Sequence, residues 1–187
     1  LRALFPKLEV VPLSKLDLFR ASVASGNPQA NAISAALTEA GLTLAPHSNH
    51  TAWKPGMVSH IGGIQRAWTR DGPKITGLAL NALAQGFAQQ VLRYGGTLFR
   101  GIVRICRDEV REHGGFRGER FERFLLMLSR QAQSEWIADI NRYFGENPEM
   151  FRAEAAEGLF RREWRQALIR TVVVADDRRT ATPAAVL

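Results

Sequence analysis

Apolar side chains along this chain recur mostly three and four residues apart, the period of helices that bury one face. From Ser14, the residues Leu16, Phe19 and Val23 fall at i, i+3 and i+7, and Gly26 closes the run. A second helix is predicted with Asn27 as N-cap and Pro28 at its first position. It turns Ala30, Ile33 and Leu37 inward and stops at Gly41. A brief extended piece, LTLAP, then leads into a polar loop, HSNHTAWKPG. The next helix is expected from near Pro55, with Met57, Ile61, Ile64 and Trp68 as its stripe and Asp71-Gly72-Pro73 as its end. Leu80, Leu83, Phe87 and Val91 mark another, which Tyr94-Gly95-Gly96 breaks.

Four further helices follow by the same rule. Thr97 is placed as the cap of one carrying Leu98, Phe99, Ile102, Ile105 and Cys106, closed by His113-Gly114-Gly115. Phe121, Phe124, Leu125 and Leu128 mark the next, and Trp136, Ile140 and Phe144 another between Ser134 and Gly145. Asn147-Pro148 repeats the earlier start signature and opens a long helix bearing Phe151, Ala155 and Leu159 beside Phe160, Trp164 and Leu168. The β-branched run TVVV after Arg170 suggests a strand, as do residues 8–11 between Pro6 and Pro12.

The pattern therefore predicts an all-α bundle of seven or eight helices with at most one or two short strands. Residues 1–12 form an extended linker or strand, 13–170 the helical domain and 171–187 a flexible tail. Met57, Ile61, Ile64, Trp68, Leu80, Leu83 and Phe87 are expected in one core, and the four tryptophans read as packing.

Composition narrows the class. At 187 residues, 45% of them hydrophobic, a single core buries about 70% of the unfolded chain's surface, so folding requires neither disulfides nor metals. The only cysteine, Cys106, has no partner for an intramolecular disulfide, which points to a reducing, cytoplasmic setting. No apolar stretch of about 18 residues predicts a membrane span, and no basic-then-apolar leader is seen. A start at Leu1 rather than Met suggests a trimmed product or a segment of something longer.

Charge adds a partner. The net charge is +7 and the pI about 10.5, a balance that favours polyanions. Only Lys7, Lys15, Lys54 and Lys74 are lysines among 25 basic residues, and the arginines suit bidentate phosphate contacts. Arg100, Arg104, Arg107 and Arg111, spaced by four, three and four, share one narrow helical stripe that could follow a phosphate backbone. The competing reading is a solvated face ion-paired to Asp108, Glu109 and Glu112. Asn49, His50, Trp53 and Lys54 form a second candidate, an anion-contact patch at the N-terminal end of the helix expected near Pro55. Its competitor is a loop plugged by Trp53.

Enzymatic chemistry finds little footing. His47, His50 and His60 lack a nearby Cys, Asp or Glu to complete a tetrahedral set, so neither metal nor other cofactor is expected. Ser48, Thr51 and Ser59 lie near histidines without a G-x-S-x-G turn or an orienting acid.

The segment FRASVASGNPQANAISAALTEAG, with GGIQRAW and YGGTLFRGI after it, resembles the helical region that follows the ParB-like domain in phage and mobile-element proteins of the ParB/sulfiredoxin-like group. The likeness covers roughly residues 16–144 and rests on F-x-A-x-V-x-x-G-x-P-x-A-x-x-I, from Phe19 to Ile33. That group's chemistry resides in an upstream α/β domain with a D-G-x-H-R-like turn and a G-x-x-R motif. This chain has neither, and Gly118-Glu119-Arg120 lacks the context to replace them, so no catalytic residue carries over. The resemblance and the charge together imply a non-catalytic, DNA-associated helical module whose arginines hold phosphates. The alternatives are an oligomerisation or scaffold module, packing on itself or on a missing ParB-like domain, and a small metal-dependent nuclease using the histidine loop.

Overall fold

The computed structural model describes residues 13–47 and 49–180, with side chains as far as residue 169. Within them lie seven α-helices: α1 (Lys15–Ala24), α2 (Pro28–Glu39), α3 (Ile61–Gly86), α4 (Gly95–His113), α5 (Gly118–Ser129), α6 (Gln133–Glu146) and α7 (Arg152–Thr180). They hold 73% of the described residues, so the fold is the all-α bundle that the apolar period predicts. Two short strands, β1 (Thr43–Leu44) and β2 (Met57–Val58), pair in parallel between α2 and α3.

Local chemistry sets several boundaries where expected. Ser14 Oγ accepts the Asp17 N–H at 3.1 Å and starts α1, while Asn27 Oδ1 accepts the Ala30 N–H at 3.0 Å and starts α2. At the far end of α4, Gly114 takes φ 74° and returns its N–H to the Val110 carbonyl.

Helix α4 is the central element, packed between α3 and α7. Helix α5 leans on α3 and α7, α6 on α7 and α4, and α1 with α2 on α3. One core of buried side chains runs through all of them, including Phe19, Ile33, Leu83, Ile102, Trp136 and Phe160. Fully burying each large apolar side chain contributes roughly 1.5–3 kcal/mol. Missing side chains fix the spacing between helices: a Cβ on Gly101 would stand 2.6 Å from the Phe160 ring, and one on Gly158 2.7 Å from Tyr143.

Several boundaries differ from the sequence expectation. No helix begins near Pro55. The Thr43 N–H donates to the Gly56 carbonyl and the Ala45 N–H to that of Val58, so residues 57–58 become β2 and α3 waits until Ile61. Met57 consequently leaves the expected core stripe, and its Sδ accepts the Lys54 N–H. Ile61, Ile64, Leu80, Leu83 and Phe87 do share one core, with Trp68 packed partly buried against it.

Asp71-Gly72-Pro73 does break the helical backbone as expected: Gly72 sits at φ 81°, ψ 173°, so α3 is two helices joined across a kink, the second running as far as Gly86. Val91 therefore falls in the connection to α4, which starts at Gly95 rather than at a Thr97 cap. Asn147 closes α6 instead of opening α7; its N–H donates to the Phe144 carbonyl and its Nδ2 to that of Tyr143. The TVVV run lies inside α7, which continues through Thr180, so residues 171–180 are helical rather than strand and tail. The strand expected over residues 8–11, with the rest of the 1–12 linker and the tail after Thr180, lies outside the described residues.

Two alanine substitutions separate helix propensity from packing. A methyl group added at Gly77 in α3 would meet nothing within 4 Å, so Gly77→Ala should stabilise the protein by about 0.5–1 kcal/mol. Gly101→Ala should destabilise it by about 1–3 kcal/mol through overpacking against Phe160. Denaturant melts of both variants check the pair, and equal signs would contradict the close approach of α4 to α7.

Candidate functional site

The arginine stripe of α4 is largely consumed inside the bundle. Arg107 grips Asp71, whose side chain is only 4% exposed, through Nε at 2.8 Å and Nη2 at 3.2 Å. Arg104 bridges Asp108 at 3.3 Å and Glu157 at 3.7 Å, and Arg111 contacts Asp108 at 3.4 Å and Glu112 at 2.9 Å. These pairs bind α4 to the α3 kink and to α7. Arg100 is different: its Nη1 donates to the Ala153 carbonyl at 2.8 Å, and no carboxylate pairs with it among the described residues.

The polar loop folds on itself. Asn49 Oδ1 accepts the Thr51 N–H and hydroxyl, capping the 3₁₀ turn His50–Ala52. Trp53 is buried, with Nε1 donating to the His47 carbonyl at 2.9 Å, and His50 stands edge-on to its ring at 6.2 Å. Lys54 is exposed. The helix start that was to turn these residues into an anion patch is absent, because β2 occupies its place. His60 is remote in role: it packs on Gly95, Gly96 and the Phe99 ring.

Another constellation emerges from residues far apart in sequence. Two adjoining cavities, of about 950 and 730 Å³, form one groove where α1, α3, α4 and α7 begin. Lys15 and Arg152 are the first residues of α1 and α7, and Arg93 lies two residues before the α4 start. Arg66 and Arg100 stand in the second turns of α3 and α4. All five line the smaller cavity, and no Asp or Glu lines it. None of the five has a carboxylate ion pair among the described residues; Arg152 donates only to Asn141 Oδ1, at 3.2 Å. The larger cavity shares Lys15, Arg66 and Arg100 and adds Glu154 and Glu157 with polar Gln65 and Thr69.

Cations at helix starts oppose the positive end of the macrodipole, so their gathering there is a cost in the empty protein that a bound anion relieves. The bare backbone of Gly62, Gly63 and Gly96 lines the same cavity at the first turns of α3 and α4, the positive ends of two helices. His60, also lining it, has an Nε2 that is enclosed and without a hydrogen-bond partner. Burial lowers the His60 pKa to about 4, so the imidazole is neutral at pH 7.

Sequence reasoning reached Arg100, weighed His60 only as a metal ligand, and missed Lys15, Arg66, Arg93 and Arg152. Only Lys15 carried a local signal, as a basic residue at a predicted helix start, where acidic ones are favoured. Other chemistry has less support here. Burial, then the nearby Glu109 charge, pushes the Cys106 thiol up, the opposite of an activated nucleophile. Among the described residues no group of three or more His, Cys, Asp or Glu is arranged to hold a metal, and no helix is long and apolar enough to cross a membrane. Comparison with protein-family models, curated proteins and solved structures returns no match.

His60 gives a pH prediction. Its folded pKa lies below the unfolded value, so the unfolded chain takes up the proton first as pH falls. Stability is unaffected above about 6.5 and declines from there toward pH 4, by about 3 kcal/mol in total. His60→Gln should lose most of that slope between pH 6.5 and 5, measured by chemical denaturation across pH. A second prediction separates paired from unpaired arginines. Arg107→Ala strands the buried Asp71 carboxylate with only Arg70 and should cost about 1–3 kcal/mol, whereas Arg93→Ala should leave the melting temperature unchanged.

Proposed function

We propose that this chain is a non-catalytic, nucleic-acid-associated helical module that holds phosphates in the groove where α1, α3, α4 and α7 begin. The observation that carries the reading is the smaller cavity, lined by five cations from separate segments and by no carboxylate. Structural arginines in this protein are matched by acids, as Arg107 is by Asp71 and Arg120 by Glu109. The groove cations are not, and an external polyanion is their natural counter-charge. Their number and the overall charge of +7 support a polyanion over a single small anion.

The ParB-like resemblance of residues 16–144 fits this reading as context: a helical module beside a DNA-handling domain in the cytoplasm. The phosphate contacts, however, are assigned to the groove. Of the α4 stripe only Arg100 takes part, since Arg104, Arg107 and Arg111 already face Asp108, Glu157, Asp71 and Glu112.

The test is salt-dependent binding to DNA of arbitrary sequence, single- and double-stranded. Replacing Lys15, Arg93 and Arg152 together with alanine should weaken binding to every sequence and flatten the slope of log K against log salt by about 2–3 units. Arg104→Ala should leave that slope in place. A wild-type protein that binds neither form of DNA at low salt would discard the reading in favour of the scaffold alternative.

A further inference from the structure

The two cavities differ in chemistry, and the difference bears on the form of nucleic acid. In the smaller one, cations and helix N-termini converge on a concave space of about 730 Å³, within the range of sites that enclose small ligands, roughly 300–1,000 Å³. Duplex phosphates lie on the outside of a convex rod and are followed by ridges or flat basic faces. Lys15, Arg66, Arg93 and Arg152 stand exposed around this space and Arg100 is half-buried, so the cations follow a concave contour rather than that of a convex rod. A phosphate in a flexible single strand can enter.

The flanks of the cationic cavity extend the argument. On one side Tyr94 lines the cavity and is 43% exposed, a large ring left in contact with solvent beside Arg93. Its position is fixed from the backbone, since the Tyr94 N–H donates to Gln133 Oε1 and Gln133 is itself buried. On the other side the larger cavity combines an apolar wall, with half-exposed Leu18 and buried Val103, and the hydrogen-bonding groups of Gln65, Thr69 and Glu157. Glu157 and Glu154 there repel phosphate, yet a carboxylate accepts from the exocyclic amino groups of bases. The order along the groove is thus aromatic rim, cationic centre, mixed apolar and acidic chamber.

We propose that the groove holds single-stranded nucleic acid in preference to duplex. The phosphate sits over Lys15, Arg66, Arg93, Arg100 and Arg152, one flanking base stacks on Tyr94, and the other enters the chamber of Gln65 and Glu157. In a duplex both flanking bases are paired and stacked, and neither reaches its place. Stacking on an exposed aromatic ring beside arginines is tolerant of sequence, so the preference is for strandedness rather than for a particular base. This inference rests on the phosphate-binding reading of the same groove and adds to it the class of strand bound.

The experiment compares fluorescence anisotropy of the full chain with an oligoadenylate, whose bases carry an exocyclic amino group, single-stranded or paired to oligothymidylate, at one low salt concentration. The single strand should bind about tenfold or more tightly than the duplex. Tyr94→Ala and Gln65→Ala should each weaken single-strand binding about fivefold or more while leaving duplex binding and the melting temperature unchanged. Both side chains are at least partly accessible, so neither variant removes core packing. Equal or tighter duplex binding, still lost in the Lys15, Arg93 and Arg152 alanine variant, overturns the strand preference and leaves the phosphate groove standing. Single-strand preference untouched by Tyr94→Ala and Gln65→Ala also overturns it. Failure of both forms to bind removes both readings.

Discussion

A carboxylate buried in the centre of the bundle dictates how its largest helices meet. Glu109 of α4 is 3% exposed, and a charge in that position is tolerable only if its oxygens are fully engaged. Arg120 of α5 donates Nε to Oε2 at 2.5 Å and Nη2 to Oε1 at 2.8 Å, and Trp164 of α7 donates its indole N–H to Oε1 at 2.8 Å. The hydrogen bond to Glu109 in turn holds the Arg120 guanidinium above its ordinary pKa. Phe116 and Phe124 surround the Trp164 ring, so slippage of α5 or α7 would strand a charge among aromatic rings. The clamp thus fixes α7 on α4, and the mutual placement of their opposite ends, where the groove lies, follows from rigid helices.

Ion pairing elsewhere divides the basic residues into two populations. Arg107 and Asp71 tie α4 to the α3 kink, Arg130 and Glu163 tie the α5 end to α7, and Arg104 and Arg161 converge on Asp108. Of the cations without a carboxylate partner among the described residues, five line the groove, while Lys54, Lys74, Arg117 and Arg165 lie outside it. Within the groove cations stand beside helix starts, an arrangement that opposes the macrodipole and brings no benefit to folding. Such local cost at otherwise well-matched architecture is the usual mark of a site selected for something outside the fold.

Helix existence was legible in the sequence, because the period of three and four directly records which face is buried. The α1 and α2 starts were legible as well, since Ser14 and Asn27 act through their own neighbours. Pro55 misled for a complementary reason: a parallel strand pair between residues 43–44 and 57–58 is a non-local contact that no local spacing encodes. The α4 stripe misled similarly. Helical spacing puts four arginines on one side, yet whether that side meets water or the carboxylates of α3 and α7 depends on tertiary packing. The groove was invisible for the same reason, its five cations being scattered from Lys15 to Arg152.

The kink at Gly72 has a consequence for motion. It divides α3 into a first half that packs with α1 and α2 and a second half that packs with the rest of the bundle, near α5. Helix α1 is held chiefly by α2 and α3, and by Arg20 donating to the Ala45 and Pro46 carbonyls, while the Glu109 clamp lies wholly in the other part. Cooperative units of unequal stability open in order of their attachment, so the N-terminal layer is expected to exchange its amide hydrogens first. Because Lys15 belongs to that layer, opening of α1 would remove one wall of the proposed groove while leaving the α4–α7 side in place.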